Sequence, residues 1–244
     1  MNPKPVSRKS QGREGVKISR LSRFHPFSLL ILMTIHLLVA PDSQAMEKTK
    51  HILLLGASVG KAWQIENLPQ RANIKGYRFE YVGEYNFDKT EALRKILARK
   101  ENRPEAIFIK ECAAYFPGDL PLYQKLMIGW VKECRAVGVT PIPTTVVPVI
   151  RDRSFVTQIK DLIKRLIGRP TSDLRLTSII KYNDWVKTYA QKEALAVLDL
   201  EAPLRVNPND RSLRLDLHSG DGLHLNAKAY AILDQAVIQS LQSF

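Results

Sequence analysis

Five short runs of strand-forming residues, separated by stretches with helical periodicity, constrain this chain more than anything else in it. Residues 52–55 (ILLL) are continuously apolar and end in Gly-Ala-Ser, and residues 77–82 (YRFEYV) alternate and end at Gly83. Residues 106–109 (AIFI) follow Pro104. Residues 139–149 (VTPIPTTVVPV) are interrupted by prolines, so their far half reads as loop. Residues 194–200 (ALAVLDL) complete the set. Helical patterns cover 89–100, 120–137, 178–192 and 227–241. Strands alternating with helices of this length predict crossover units: a five-stranded parallel sheet with both faces covered. Sites in such sheets form outside the carboxyl ends of the strands, so the residues just after each strand carry the functional question.

Composition agrees with one ordinary domain. The 244 residues are 45% hydrophobic, enough for a core, which excludes global disorder; two cysteines exclude a disulfide scaffold. A single strongly apolar run, residues 27–40 (FSLLILMTIHLLVA), excludes a polytopic membrane protein. That run follows a basic stretch and precedes PDSQA, with small residues at Ser43 and Ala45. Charged head, apolar middle and small-residue end are the order of an export signal, and the run is shorter than the roughly 20 residues of a membrane-spanning helix. Residues 1–45 are therefore expected to be a signal peptide cleaved after Ala45 or, since the head is long, an N-terminal anchor. Residues 46–244 then form one domain, periplasmic or secreted. Without a cysteine at the cleavage point, a lipoprotein is not expected. In an oxidising compartment Cys112 and Cys134 could pair, or both could be buried thiols; spacing alone leaves this open.

The formal charge is +13, of which +5 falls in residues 1–45. Residues 151–169 (RDRSFVTQIKDLIKRLIGR) hold six basic and two acidic residues, with Phe155, Ile159, Leu162, Ile163, Leu166 and Ile167 at helical spacing. This basic amphipathic insertion reads as a helix covering the sheet with a solvated edge, or as a lid or surface that meets anionic polymer or membrane headgroups. Nucleic acid is not an expected partner: export removes the chain from most of it, and no stacking aromatics accompany the charge.

The chemistry lies at two distant places. After the first strand comes Gly56-Ala57-Ser58-Val59-Gly60. A serine there has its hydroxyl at the sheet rim, glycines that permit a tight turn, and a helix start whose free N–H groups favour developing anionic charge. A glycine-rich turn of this kind also suits a phosphate, although neither GxGxxG nor GxxxxGK[ST] is present. Near the C-terminus comes Ser219-Gly220-Asp221-Gly222-Leu223-His224-Leu225-Asn226, just before the last helix. Serine needs a base, and a histidine base needs a group that holds its tautomer; Asp221 and His224, three positions apart in one turn, can supply both. His218 has no acid three positions before it. Asn226 is placed to cap the final helix. No metal-ligand spacing and no cofactor motif is present, so neither a metal nor a cofactor is expected.

Gly-Ala-Ser after the first strand, with Asp-Gly-Leu-His-Leu-Asn before the last helix, resembles the first and last blocks of the SGNH (GDSL-like) hydrolases. Residues 182–185 (YNDW) leading to residues 197–200 (VLDL) agree with that family as well. The resemblance spans about residues 51–244. It implies a three-layer α/β/α sandwich of flavodoxin-like type that hydrolyses an ester or thioester, with Ser58 as nucleophile, His224 as base and Asp221 as its orienting acid. The family completes its oxyanion hole with a glycine after the second strand and an asparagine after the third. Here the counterparts are the backbone of Ser58, Gly83 and, as a substitute, Asn86 or Lys110. After the third strand stands Lys110-Glu111-Cys112, with no asparagine. A charge pair of Lys110 and Glu111 at the rim is the structural alternative there, and Cys112 reads as a small buried residue.

The expected activity is an exported serine esterase acting on an ester-bearing small molecule, lipid or acylated carbohydrate. The missing asparagine motivates the alternative, a catalytically weak or inactive SGNH-like protein that binds envelope polysaccharide or a protein partner. Acyl transfer between carbohydrates would use the same residues.

Overall fold

The computed structural model describes residues 49–151, 155–168, 172–221 and 223–241. The export signal and its cleavage point at Ala45 lie outside these, as do most side chains in the first turn of the basic insertion. Strands β1 (Lys50–Gly56), β2 (Tyr77–Gly83), β3 (Ala106–Ile109) and β4 (Thr140–Pro143) form one parallel sheet in the order β2-β1-β3-β4. The helices are α1 (Ser58–Trp63), α2 (Leu68–Ala72), α3 (Thr90–Leu97), α4 (Leu120–Ala136), α5 (Phe155–Leu166), α6 (Ser172–Lys192) and α7 (Ala227–Leu241). The predicted helix at 178–192 therefore starts six residues earlier.

Period-two alternation along β1 explains the layers. Ile52 and Leu54, with Phe108 of β3 and Ile142 of β4, face Val59 and Trp63 of α1 and Leu233 and Val237 of α7. Leu53 and Leu55, with Ile107 and Ile109, face Leu93 and Ile96 of α3 and Met127, Trp130 and Val131 of α4. Both faces are covered, so β1 reads as an unbroken apolar run instead of an alternating one.

The sheet has four strands where five were expected. The fifth, residues 194–200, is reduced to a single parallel bridge between Thr144 and Leu198. Three local facts account for this. Ala194 takes a left-handed conformation (φ 52) and closes α6, with the Leu195 N–H on the Ala190 carbonyl, so the helix end consumes the first predicted strand residues. Thr140 and Thr144 donate to Glu105 and Ile109 of the β3 side. The odd-numbered residues of β4 therefore face the opposite edge, and two of them, Pro141 and Pro143, have no N–H to give. Beyond the bridge, the Leu200 N–H bonds the Thr145 hydroxyl (2.8 Å) and the Val146 N–H bonds Asn183 Oδ1 (2.7 Å), so side chains replace the ladder. Cys112 and Cys134 are both buried and unpaired.

The order β2-β1-β3 makes the chain reverse direction across the sheet at β1. The crevice outside the carboxyl ends of β1 and β3 is where such a sheet opens to a ligand. The Gly-Ala-Ser turn leaves β1 at that edge.

Candidate active site

Ser58 is the first residue of α1, held on β1 by its neighbours. Ala57 precedes it in extended conformation (φ −105, ψ −150), its carbonyl accepting the Lys61 N–H at 3.1 Å. Val59 and Trp63 anchor the short helix in the core. Gly60 allows the helix to lie on Tyr81 of β2: a Cβ there would come within 2.8 Å of the ring. The Tyr81 hydroxyl in turn donates to the carbonyls of Gly56 (3.2 Å) and Ala57 (3.1 Å), which fixes the turn carrying Ser58.

The second half of the site is a tight loop. His218 and Leu225 form an antiparallel bridge, and the Ser219 N–H bonds the His224 carbonyl at 2.9 Å. Asp221 organises the tip, where its Oδ1 accepts the N–H groups of Leu223 (2.9 Å) and His224 (2.8 Å). Asn226 caps α7 as expected, with Oδ1 accepting from the Ala229 N–H at 3.1 Å and Nδ2 donating to the Asp216 carbonyl at 2.9 Å.

Across 166 positions of sequence the two halves meet. His224 Nε2 lies 3.1 Å from Ser58 Oγ, and His224 Nδ1 is hydrogen-bonded to Asp221 Oδ2. Partial desolvation pushes the Asp221 carboxyl up, but the His224 ring and the backbone N–H groups of His224 and Leu223 outweigh it and hold Asp221 well below the usual carboxylate range. It is therefore an anion at neutral pH, and an anion on Nδ1 selects the tautomer whose Nε2 can accept a proton from Ser58. The site is open: the His224 and Asp221 side chains are 44% and 49% exposed.

A clamp that the sequence reading did not find joins the elements bearing these halves. Asp234 of α7 accepts from Trp63 Nε1 of α1 (2.8 Å) and, on both oxygens, from the Arg71 fork of α2 (2.9 and 2.8 Å). Its signal was an acid among Tyr230, Leu233 and Val237 on the apolar face of α7. Nothing in a single sequence points to Arg71 as its partner.

No family model and no curated protein matches the sequence. Solved structures do match. The chain is similar to a GDSL-like lipase from Bacteroides thetaiotaomicron, at 16% identity and a TM-score of 0.58 over 88% of this chain and 97% of that one. A member of the lipolytic G-D-S-L family from Veillonella parvula shares 13% identity, TM-score 0.55, over 80% and 100%. The psychrotrophic esterase EstA of a Pseudoalteromonas species shares 14%, TM-score 0.50, over 80% and 97%. This chain has the SGNH hydrolase fold.

Within the SGNH fold, the remaining expected residues divide. Gly83 pairs with Gly56 in the ladder, and because the Glu84 N–H bonds the Gly56 carbonyl (2.8 Å), the N–H of Gly83 itself is directed to the free edge of β2. Asn86 sits on the exposed turn beyond, its backbone N–H on Glu84 Oε1 at 2.8 Å. Lys110 and Glu111, after β3, are not a pair at the rim. Both are fully buried; Lys110 packs against Gly56 and donates to the Glu111 carbonyl (3.0 Å), while the Glu111 carboxylate bonds Lys89 at 2.7 Å. Lys89 lies within 5.1 to 6.0 Å of the Phe87, Tyr115 and Trp130 rings, which supply cation–π attraction where water cannot reach. The place after β3, where the resemblance led an asparagine to be expected, is therefore plugged by a buried Lys89–Glu111 pair. Residues 182–185 are structural too: Asn183, wholly buried, bonds both backbone groups of Val146 and Glu201 Oε2, and Arg211 bridges Glu201 to Asp184.

Proposed function

We propose that this protein is a serine esterase in which Ser58, His224 and Asp221 act together on an acyl or acetyl ester. The observation that carries the reading is the 3.1 Å contact of Ser58 Oγ with His224 Nε2, with the opposite ring nitrogen held by an anionic Asp221. Ser58 Oγ attacks the ester carbonyl carbon as its proton passes to His224 Nε2. Asp221 stabilises the imidazolium that results. The oxyanion is met by the Ser58 N–H, which has no acceptor within α1, with the side-chain amide of Asn86 as a further donor; the Gly83 N–H, directed away from β1, does not serve as the expected donor. His224 then protonates the leaving alcohol, and a water that gives its proton to His224 releases the acid and restores Ser58. A third donor of the kind an asparagine after β3 would give is replaced by the Lys89–Glu111 plug. Losing one such donor costs about 2.7 to 4 kcal/mol, so turnover of simple esters is expected to be slow.

The N-terminal segment directs the chain, on this reading, to the periplasm or the exterior, where lipids and acylated carbohydrates supply such esters. Hydrolysis of p-nitrophenyl acetate, propionate and butyrate by wild type, Ser58→Ala and His224→Ala tests the proposal. Wild type is expected to turn over at least one ester, with both variants falling to the rate of buffer. Equal rates in all three would leave only the reading as an inactive binder of polysaccharide or a protein partner.

A further inference from the structure

Helix α5 presents its apolar side to solvent. Ile159, Leu162, Ile163, Leu166 and Ile167 are 44%, 57%, 51%, 78% and 60% exposed. At 100° per residue these five fall within one arc of roughly 140°. The apolar stripe that the sequence suggested would cover the sheet is therefore turned to solvent; Leu174, near the start of α6, is exposed as well. Soluble proteins rarely leave so many large apolar side chains adjacent and exposed unless something docks there. Basic residues flank the arc: by the same count Lys160 lies about 20° past one edge, with Lys164 and Arg165 about 60° past the two edges; Lys160 and Arg165 are exposed and Lys164 partly so, and Asp161 is the only acid between Phe155 and Leu166 in the sequence.

We infer that α5 is an interfacial anchor that seats this domain on an anionic lipid surface, with the apolar arc at the level of the acyl chains and the basic residues on the headgroups. Apolar arc, basic flanks and low net hydrophobicity together are the make-up of a helix that lies in the plane of a membrane interface. Charge selects this occupant over a second copy of the chain. Two copies of a chain with a formal charge of +13 repel each other on approach, and packing apolar face to apolar face would bring Lys160, at the border of the arc, toward the other copy. A bilayer rich in phosphatidylglycerol offers an apolar layer bordered by negative charge. The inference does not depend on chemistry at Ser58. Its geometric consequence is that the crossover carrying α5 leaves the carboxyl edge of β4, the same edge of the sheet from which Ser58 emerges.

The test reads α5 itself, because residues 27–40 could bring the full chain to any bilayer. Leu166→Cys in the full chain, labelled with the environment-sensitive dye NBD, reports on the apolar arc; Cys112 and Cys134 are buried and shielded from the reagent. Leu162→Cys serves as a second reporter and Val206→Cys, exposed but outside the helix, as the control. With phosphatidylglycerol vesicles, the labels at 162 and 166 are expected to shift to the blue and brighten while the label at 206 does not. Adding Lys160→Glu and Arg165→Glu should weaken the response about 25-fold or more in lipid concentration, at about fivefold for each basic residue removed. An unchanged emission with phosphatidylglycerol, or an equal and salt-independent shift with phosphatidylcholine alone, would overturn the inference. So would a blue shift without vesicles that grows with protein concentration, which would assign the surface to a second copy.

Discussion

Asp221→Asn separates the two tasks that one carboxylate performs. In the loop tip Oδ1 holds two backbone N–H groups while Oδ2 holds the His224 ring. Asparagine keeps an oxygen for the backbone and turns an NH2 group toward Nδ1. The loop should persist, but the ring is then offered a donor where it had an acceptor. That favours the tautomer with its proton on Nε2, pointing at Ser58 Oγ and unable to receive a proton from it. The lost charge-assisted hydrogen bond is worth about 1.5 to 3 kcal/mol and the new bond to the wrong tautomer about 0.5 to 1.5. Solvent screening of a half-exposed pair trims the upper end, leaving roughly 2 to 4 kcal/mol, or about 30- to 1000-fold in kcat/KM. A dry, buried triad loses about 10⁴-fold for the same change. The assay is kcat/KM on p-nitrophenyl acetate beside thermal unfolding: Asp221→Asn should unfold within a few degrees of wild type, and Asp221→Ala, which also frees the two N–H groups, at a lower temperature. Activity of Asp221→Asn within threefold of wild type would refute the tautomer argument.

Two further outcomes follow from the buried polar groups. Asp234→Ala strips the partner from Trp63 Nε1 and from the Arg71 fork, and is expected to destabilise the protein by about 3 to 5 kcal/mol in urea unfolding; Trp63→Phe with Asp234→Ala should lose less than the two single changes summed, and strict additivity would show that no clamp exists. Burial pushes the Glu111 carboxyl up to about 7 from an ordinary 4.5, against the pull of Lys89. Between those values the folded chain holds a proton that the unfolded chain has released, so this group's contribution to stability is full below about pH 4.5 and is lost as pH rises through 7. Urea midpoints of wild type relative to Glu111→Gln should therefore fall across that window, and parallel curves would show that Glu111 titrates normally.

How much of this was legible in the sequence depends on whether the cause was local. The four strands, and the helices at 120–136 and 227–241, follow from apolar runs and periodicities contained within each segment, and so did the Asn226 cap. That Ser58, Asp221 and His224 would meet was legible because each sits at a strand end or in a short loop whose neighbours announce it. The fifth strand failed although ALAVLDL has the right composition. Its partner edge carries Pro141 and Pro143, and which prolines face that edge is settled only by the register with β3. Lys110 and Glu111 looked like a charge pair at the rim because a lone sequence does not show that Glu111 turns to Lys89, nor that the aromatic rings of Phe87, Tyr115 and Trp130 close over that lysine. The apolar stripe of α5 was visible, but whether it faced the sheet or the solvent was not, since periodicity fixes a face and says nothing about what it meets.

The account rests on a serine hydroxyl made nucleophilic by its histidine, and a fluorophosphonate probe reads that property without needing the natural ester. Intact-mass measurement after exposure of folded wild type should show one adduct per chain, peptide mapping should place it on Ser58, and His224→Ala should label far more slowly. Wild-type protein that stays unmodified while fully folded, or that carries the adduct on another residue, would contradict the central claim.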